Sequence, residues 1–286
     1  GDWSTLVEYG EPRQDLSLVE SYWQSDEFGK MKSLCHKLNI SFHPTCIYYF
    51  CVADLAQSSD DNNSIRELEK KNEFGTMGLL QEWAAIPKYP SAAHIPIMQQ
   101  LELKYEFYEG LVMLKAMEDH LSANKTPIDL VDSINKWRRR KISPQDGPRM
   151  WGSILKARKV FFKHMGIIAQ KNPNYISASE IGNLQDSTWT DVTHAKLCRK
   201  AGIYNKAASI LENLSNEESQ SEMFLIAKEK IKLCMSTEHY EGALNLARFY
   251  SQENTNIDPT KISEFKRLKG IIYSRINDEE KSKHCF

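Results

Sequence analysis

Apolar side chains recur every three or four residues along nearly the whole chain, the interval that gathers them on one face of an α-helix. Phe28, Met31, Leu34, Cys35 and Leu38 make one such face. A second begins at His43-Pro44 and carries Ile47, Phe50, Cys51 and Leu55. Proline suits the first helical position because no hydrogen bond is lost there. Ser64-Ile-Arg-Glu67 has the capping-box pattern, in which the two side chains satisfy each other's free backbone donors. A helix is therefore expected from there to about Trp83, before Pro87 and Pro90 break the chain. A long helix follows, with Ile97, Leu101, Tyr105, Tyr108 and Val112 as its apolar stripe. Thr126-Pro127 opens the next, whose inner face is Ile128, Val131, Ile134 and Trp137. After a loop at Ser143-Pro144 and Gly147-Pro148, a face of Trp151, Leu155, Arg158, Phe162 and Met165 runs to the breaker Asn172-Pro173. Polar stretches at 57–63 and 174–186 read as linker and loop.

The last hundred residues add an internal repeat. Ala201-Gly-Ile-Tyr-Asn-Lys-Ala207 aligns with Thr237-Glu-His-Tyr-Glu-Gly-Ala243, so that Tyr204 and Tyr240 are 36 residues apart, as are Ala207 and Ala243. A weaker third copy ends at Ser282, 39 residues beyond Ala243. A period near 34 residues is that of tetratricopeptide-type helix pairs. The aromatic opens the second helix of each pair, and the small residue three positions later lets the first helix come close. The fold class expected is all-α, an α-solenoid of tetratricopeptide-like antiparallel helix pairs. It divides into degenerate helical repeats at 1–142, a loop-interrupted helical segment at 143–190 and clearer repeats at 191–286. Trp137, Trp151, Tyr204, Ala207, Tyr240 and Ala243 are the expected repeat anchors.

Composition narrows the picture by exclusion. With 13 glycines and 10 prolines in 286 residues, the turn chemistry of a sandwich or barrel is missing. A formal net charge of −1 gives no global field for nucleic acid or an anionic membrane. The longest apolar run, 46–53, is too short to span a bilayer and abuts Asp54. The start, Gly1-Asp-Trp-Ser, has no basic and then apolar signal segment. It has no initiator methionine either, so a fragment of a larger protein is expected. The six cysteines show no framework spacing and read as reduced and intracellular.

Candidate chemistry is sparse. Cys35, His36, His43, Cys46 and Cys51 bring zinc-type ligands into a short span, but Cys35 fits an apolar stripe and Cys46 and Cys51 do not share a helix face. Lys136, Arg138, Arg139, Arg140 and Lys141 surround Trp137 as a possible basic contact patch. The plainer reading is a helix end, where cations suit the negative end of the macrodipole. No phosphate loop, nucleophile elbow or metalloprotease motif occurs, and neither Glu27-Phe-Gly29 nor Glu73-Phe-Gly75 supplies a kinase's metal-binding Asp. No catalytic residue, cofactor site or metal site is expected.

Several stretches, in order, resemble the FAT region of the phosphatidylinositol-3-kinase-related kinase family. Trp3 to Gly10 resembles its W-x-x-L-x-E-Y-G helix end. Leu18-Val-Glu-Ser-Tyr-Trp23 and Met31-Lys32 resemble the run that follows, with Phe28 where the family has Trp. Leu80-Gln-Glu-Trp83 with Ile86-Pro87, and Ile97-Met-Gln-Gln-Leu101, resemble an R-E-W-x-x-L-P run and the start of the long helix after it. Trp137-Arg138-x-Arg140 with Trp151-x-x-Ile154, and Lys196-Leu-Cys-Arg-Lys-Ala-Gly202, resemble further family motifs. The resemblance implies a solenoid that embraces the chain's own C-terminal kinase-like domain. The nearest branch is the one whose kinase-like domain is a pseudokinase. For that branch it implies a nuclear scaffold in SAGA-type histone acetyltransferase complexes, with acetyltransferase-complex subunits and transcription activators as partners. The alternatives are the same solenoid on an active kinase, which an intact catalytic Asp downstream would mark, and a stand-alone tetratricopeptide-type peptide-binding adaptor. Direct nucleic-acid binding through residues 136–141 is the weakest reading, and a steep salt dependence would mark it.

Overall fold

The structure is a computed structural model that describes residues 16–39, 43–57, 62–89, 91–123, 130–140, 147–171, 187–214, 220–252 and 259–285. The Trp3–Gly10 motif, Thr126-Pro127, Ile128, Lys141, Ser143-Pro144 and the stretches 58–61 and 174–186 lie outside them, as does the Val131 side chain. The described residues form thirteen helices and no strand. The fold is all-α, and its helices pack as antiparallel pairs within two compact units, 1–185 and 186–286.

In the first unit, α1 (Leu16–Gln24) pairs with α2 (Phe28–Lys37), and α3 (Pro44–Gln57) pairs with α4 (Asn62–Ala85). α5 (His94–Ala123) packs on α4 and on α7 (Pro148–Lys171), and α6 (Leu130–Arg139) joins them through side chains. The expected start at Pro44 holds, and Pro44 is the first residue of α3. α4 begins two residues before Ser64, at Asn62, so the serine lies inside the first turn rather than at the cap.

α3 is the centre of this unit. It touches α2, α4, α5 and α7, and nine of its fourteen residues are buried. Enclosure from several sides explains why its apolar residues do not keep to one face. Burying each large side chain there contributes roughly 1.5–3 kcal/mol. An aromatic chain links it to its neighbours. Trp23 stacks on Tyr49 at 4.4 Å, Tyr48 meets Phe107 edge-on, Phe107 meets Phe161, and Phe161 meets Trp137. The polar ends of these rings are satisfied: Trp23 Nε1 donates to Ser153 Oγ at 3.2 Å, and Tyr48 Oη to the Ser153 carbonyl at 3.1 Å.

The long helix α5 corrects an expectation. Of its expected inner stripe, Ile97 is buried and Leu101 partly buried, but Tyr105, Tyr108 and Val112 face outward, Tyr105 being 57% exposed. The buried face is Leu103, Phe107, Leu111 and Leu114. α5 carries two apolar stripes at helical spacing, and spacing alone does not choose between them. Gly110 decides, because its missing side chain leaves the space that the Phe161 ring occupies.

The second unit repeats one motif three times. α8 (Ser187–Lys200) and α9 (Tyr204–Glu212), α10 (Gln220–Ser236) and α11 (Tyr240–Gln252), α12 (Pro259–Arg275) and α13 (Glu279–Cys285) are successive pairs. Each turn has a left-handed residue at the same place: Gly202 (φ 77°), Glu238 (φ 62°) and Asn277 (φ 64°). The next amide always bonds back five residues, from Ile203 to Cys198 at 2.8 Å, His239 to Cys234 at 2.9 Å and Asp278 to Tyr273 at 3.0 Å. This is the Schellman closure of a helix end. Ala207, Ala243 and Ser282 then occupy equivalent buried positions, and Ser282 Oγ donates to the Gly270 carbonyl at 3.1 Å. Around Ala243 and Ala247, the side chains of Ile231, Phe265, Leu268 and Ile272 close the core.

The same turn occurs in the first unit. Asp26 is left-handed (φ 62°), and the Glu27 amide bonds back to Tyr22 at 3.0 Å. Phe28 and Met31 then stand where Tyr204 and Ala207 stand. The α1–α2 pair is thus built on the turn of the later repeats.

Candidate interaction surface

The basic run at the end of α6 is divided by the fold. Trp137 is buried, while Arg138 and Arg139 are exposed. Lys136 pairs with Asp132 one turn back, at 2.9 Å. Arg140 turns inward, bonding Glu109 Oε1 at 2.6 Å and also Glu106. Arg158 meets Glu106 from the other side, with Nε and Nη2 both on Oε2 at 3.0 and 2.8 Å. Its remaining Nη1 donates to the Trp137 carbonyl at 3.1 Å, and Trp137 Nε1 donates to Glu109 Oε2 at 3.1 Å. Burial would raise Glu109, but hydrogen bonds from Arg140 and Trp137 outweigh it and hold the carboxyl below its ordinary range. Burial pulls Arg158 below the usual guanidinium range against the opposing pull of Glu106. So many charges together look like a reaction centre. Each carboxylate is engaged by cations or an indole N–H, and Glu106 and Arg158 are both buried, so the cluster serves as a lock between α5, α6 and α7.

Four other reactive side chains are sealed. Lys104 is 1% exposed, its amine has no hydrogen-bond partner among the described residues, and burial pushes it down to about 8. Cys35 and Cys46 share a hydrogen bond that lowers the first thiol and raises the second, and burial raises Cys51 to about 12. His36 and His43 are exposed, and His36 stacks on Phe50. Among the described residues, no three metal-ligating side chains lie close enough to share an ion.

The remaining expected anchors divide by depth. Trp151, Ala207 and Ala243 are buried. Tyr240 is partly buried against the core of the second unit, and Tyr204 keeps 36% of its surface. The small residues sit at the helix contacts and the tyrosines at their rim.

What the fold leaves open is surface. A cleft of about 620 Å³ lies where α2, α3 and α4 meet. Its floor is Ile47, Phe50 and Phe74, the last 60% exposed. Its rim carries Lys32, His36, Lys70 and Lys71. Asp54 is the acid among the lining residues, and it takes Lys32 at 2.5 Å on one oxygen and Lys71 at 3.0 Å on the other. The Asp54 bond raises Lys71 despite the opposing effect of burial. Sequence reasoning missed this cleft, although Asp54, a lone acid ending an apolar run, was its one local signal. Phe74 continues into an exposed apolar row on α4 with Met77, Leu80 and Trp83. Among the described residues, no helix is long and apolar enough to cross a membrane.

The FAT domain family model matches residues 17–283. The chain is similar over 99% of its length to transformation/transcription domain-associated protein of Mus musculus (20% identical) and of Danio rerio (21% identical). It is similar over the same share to transcription-associated protein 1 of Drosophila melanogaster (20% identical). The chain spans 12% of the mouse relative's length and 8% of the other two.

Proposed function

The chain belongs to the FAT domain family, and from that premise we propose that it is a non-catalytic scaffold segment of a larger transcription coactivator subunit. The subunit is of the TRRAP type: a nuclear pseudokinase in SAGA-type histone acetyltransferase complexes, where this segment docks activators and neighbouring subunits. The observation that carries the reading is the similarity to transcription-associated relatives over 99% of the chain. The distribution of chemistry supports it. Glu106, Arg140 and Arg158 are engaged in joining helices, Lys104 has no access to solvent, and the cleft that opens outward is lined by aromatic and cationic side chains.

A scaffold acts by holding its surface in shape. Ala207→Arg and Ala243→Arg place a long cation where helices touch, and each costs about 1–3 kcal/mol or more by overpacking. With both changes in the natural full-length protein, quantitative mass spectrometry of affinity-purified complexes should show at least one partner subunit depleted several-fold. An unchanged partner profile despite an altered proteolysis pattern over this segment would refute a scaffolding role for it.

A further inference from the structure

We propose that the cleft between α2, α3 and α4 is a docking site for a short acidic peptide segment carrying a bulky apolar side chain. This deepens the scaffold reading and rests on it. Three lysines line the cleft with a single aspartate, and although Glu67 also acts on Lys71 from outside the lining, a positive excess remains. Lys32 and Lys71 already share Asp54, whose one charge cannot neutralise both, and Lys70 on the rim is exposed. Within this rim lie Phe50, stacked on one face by His36, and the exposed Phe74 ring. The volume, about 620 Å³, lies in the range of ligand pockets and accommodates a few side chains.

The two halves of the site select one ligand chemistry together. A carboxylate meets a lysine rim favourably, and an adjacent aromatic or aliphatic side chain is removed from water on the floor. A buried aromatic anchor is the usual source of affinity at such contacts. A polyanionic backbone fits less well. The rim offers point-charge lysines without an arginine fork for bidentate phosphate recognition, and Asp54 stands in the path of a continuous row of phosphates. A peptide avoids Asp54 by placing its acids to either side, and its own N–H groups can donate to that carboxylate.

The test uses the natural full-length protein and a fluorescein-labelled twelve-residue peptide of alternating Asp/Glu and Phe/Leu, read by fluorescence anisotropy. Phe74→Ala should weaken binding about tenfold and Lys70→Glu several-fold. Asp54→Asn should tighten it, a gain that unfolding cannot mimic. Raising NaCl from about 50 to 500 mM should weaken binding, because exposed charges are screened. Equal affinity for all variants, or for a peptide with its acids replaced by Asn and Gln, would overturn the site. So would a twenty-nucleotide single-stranded DNA that binds more tightly than the peptide and responds to Lys70→Glu. The partner profile of the same preparations separates the two levels. A wild-type protein with its partners but no Phe74-dependent binding loses this site and keeps the scaffold reading, whereas a wild-type protein without transcription-complex partners loses that reading itself.

Discussion

At the residue scale, the first unit depends on buried ions. Glu106 is shared by Arg140 and Arg158, and Glu106→Gln would leave the buried Arg158 without its bonded carboxylate, Glu109 acting on it only at longer range. Breaking such a pair from one side typically costs about 3–5 kcal/mol. Chemical denaturation should show that loss, and Glu106→Leu combined with Arg158→Met should recover most of it. Lys104 predicts a pH effect of definite sign. Its folded value, about 8, lies below the ordinary 10.5, so the unfolded chain binds more protons between these two values. The Lys104 contribution to stability should rise as pH increases from about 8 to 10.5, by an amount on the order of 3 kcal/mol. It is read as the difference from Lys104→Met, because the raised Cys51 thiol acts in the opposite sense above about pH 9. Lys104→Met should flatten that rise and stabilise the protein at neutral pH. A melting profile that keeps the rise in the variant would place the titration elsewhere. Neither residue was legible as special in the sequence. Arg158 appeared only as a polar member of an apolar stripe, and the Glu106–Arg158 contact joins residues 52 apart.

At the element scale, the turn decides the repeat. Gly202 holds φ 77° without a side-chain penalty, whereas Glu238 holds φ 62° with one. Gly202→Ala should therefore cost about 1 kcal/mol, and Glu238→Gly should gain roughly 0.5–1 kcal/mol, although neither changes a core contact. Thermal melting that moves both variants in the same direction would contradict this account of the turns. The last hundred residues disclosed their period because Tyr204, Ala207, Tyr240 and Ala243 repeat residue types as well as positions. The α1–α2 pair makes the same turn with Asp26, Phe28 and Met31, and the shared geometry is invisible when every residue type differs. The α5 stripe misled for the opposite reason. Its outward tyrosines satisfy the helical spacing as well as the inward leucines do, and the choice between them is made by Gly110 and Phe161.

At the scale of the whole molecule, the hydrophobic pattern was enough for an all-helical fold, and ordered motifs such as Leu18–Trp23 and Lys196–Gly202 were enough for the FAT family. The cleft was not legible, because Lys32, Asp54 and Lys70 come from three helices and meet only after packing. The central claim is that this chain works through surface rather than through a reaction. The most direct measurement is affinity purification of the natural full-length protein from nuclei, with acetyltransferase and phosphoryl-transfer activity assayed on the same sample. Acetyltransferase activity that co-purifies in proportion to the protein, with no phosphoryl transfer above a mock purification, is the predicted result. Phosphoryl transfer that follows the protein, with no acetyltransferase activity, would contradict the account and make this solenoid the regulatory frame of an active kinase.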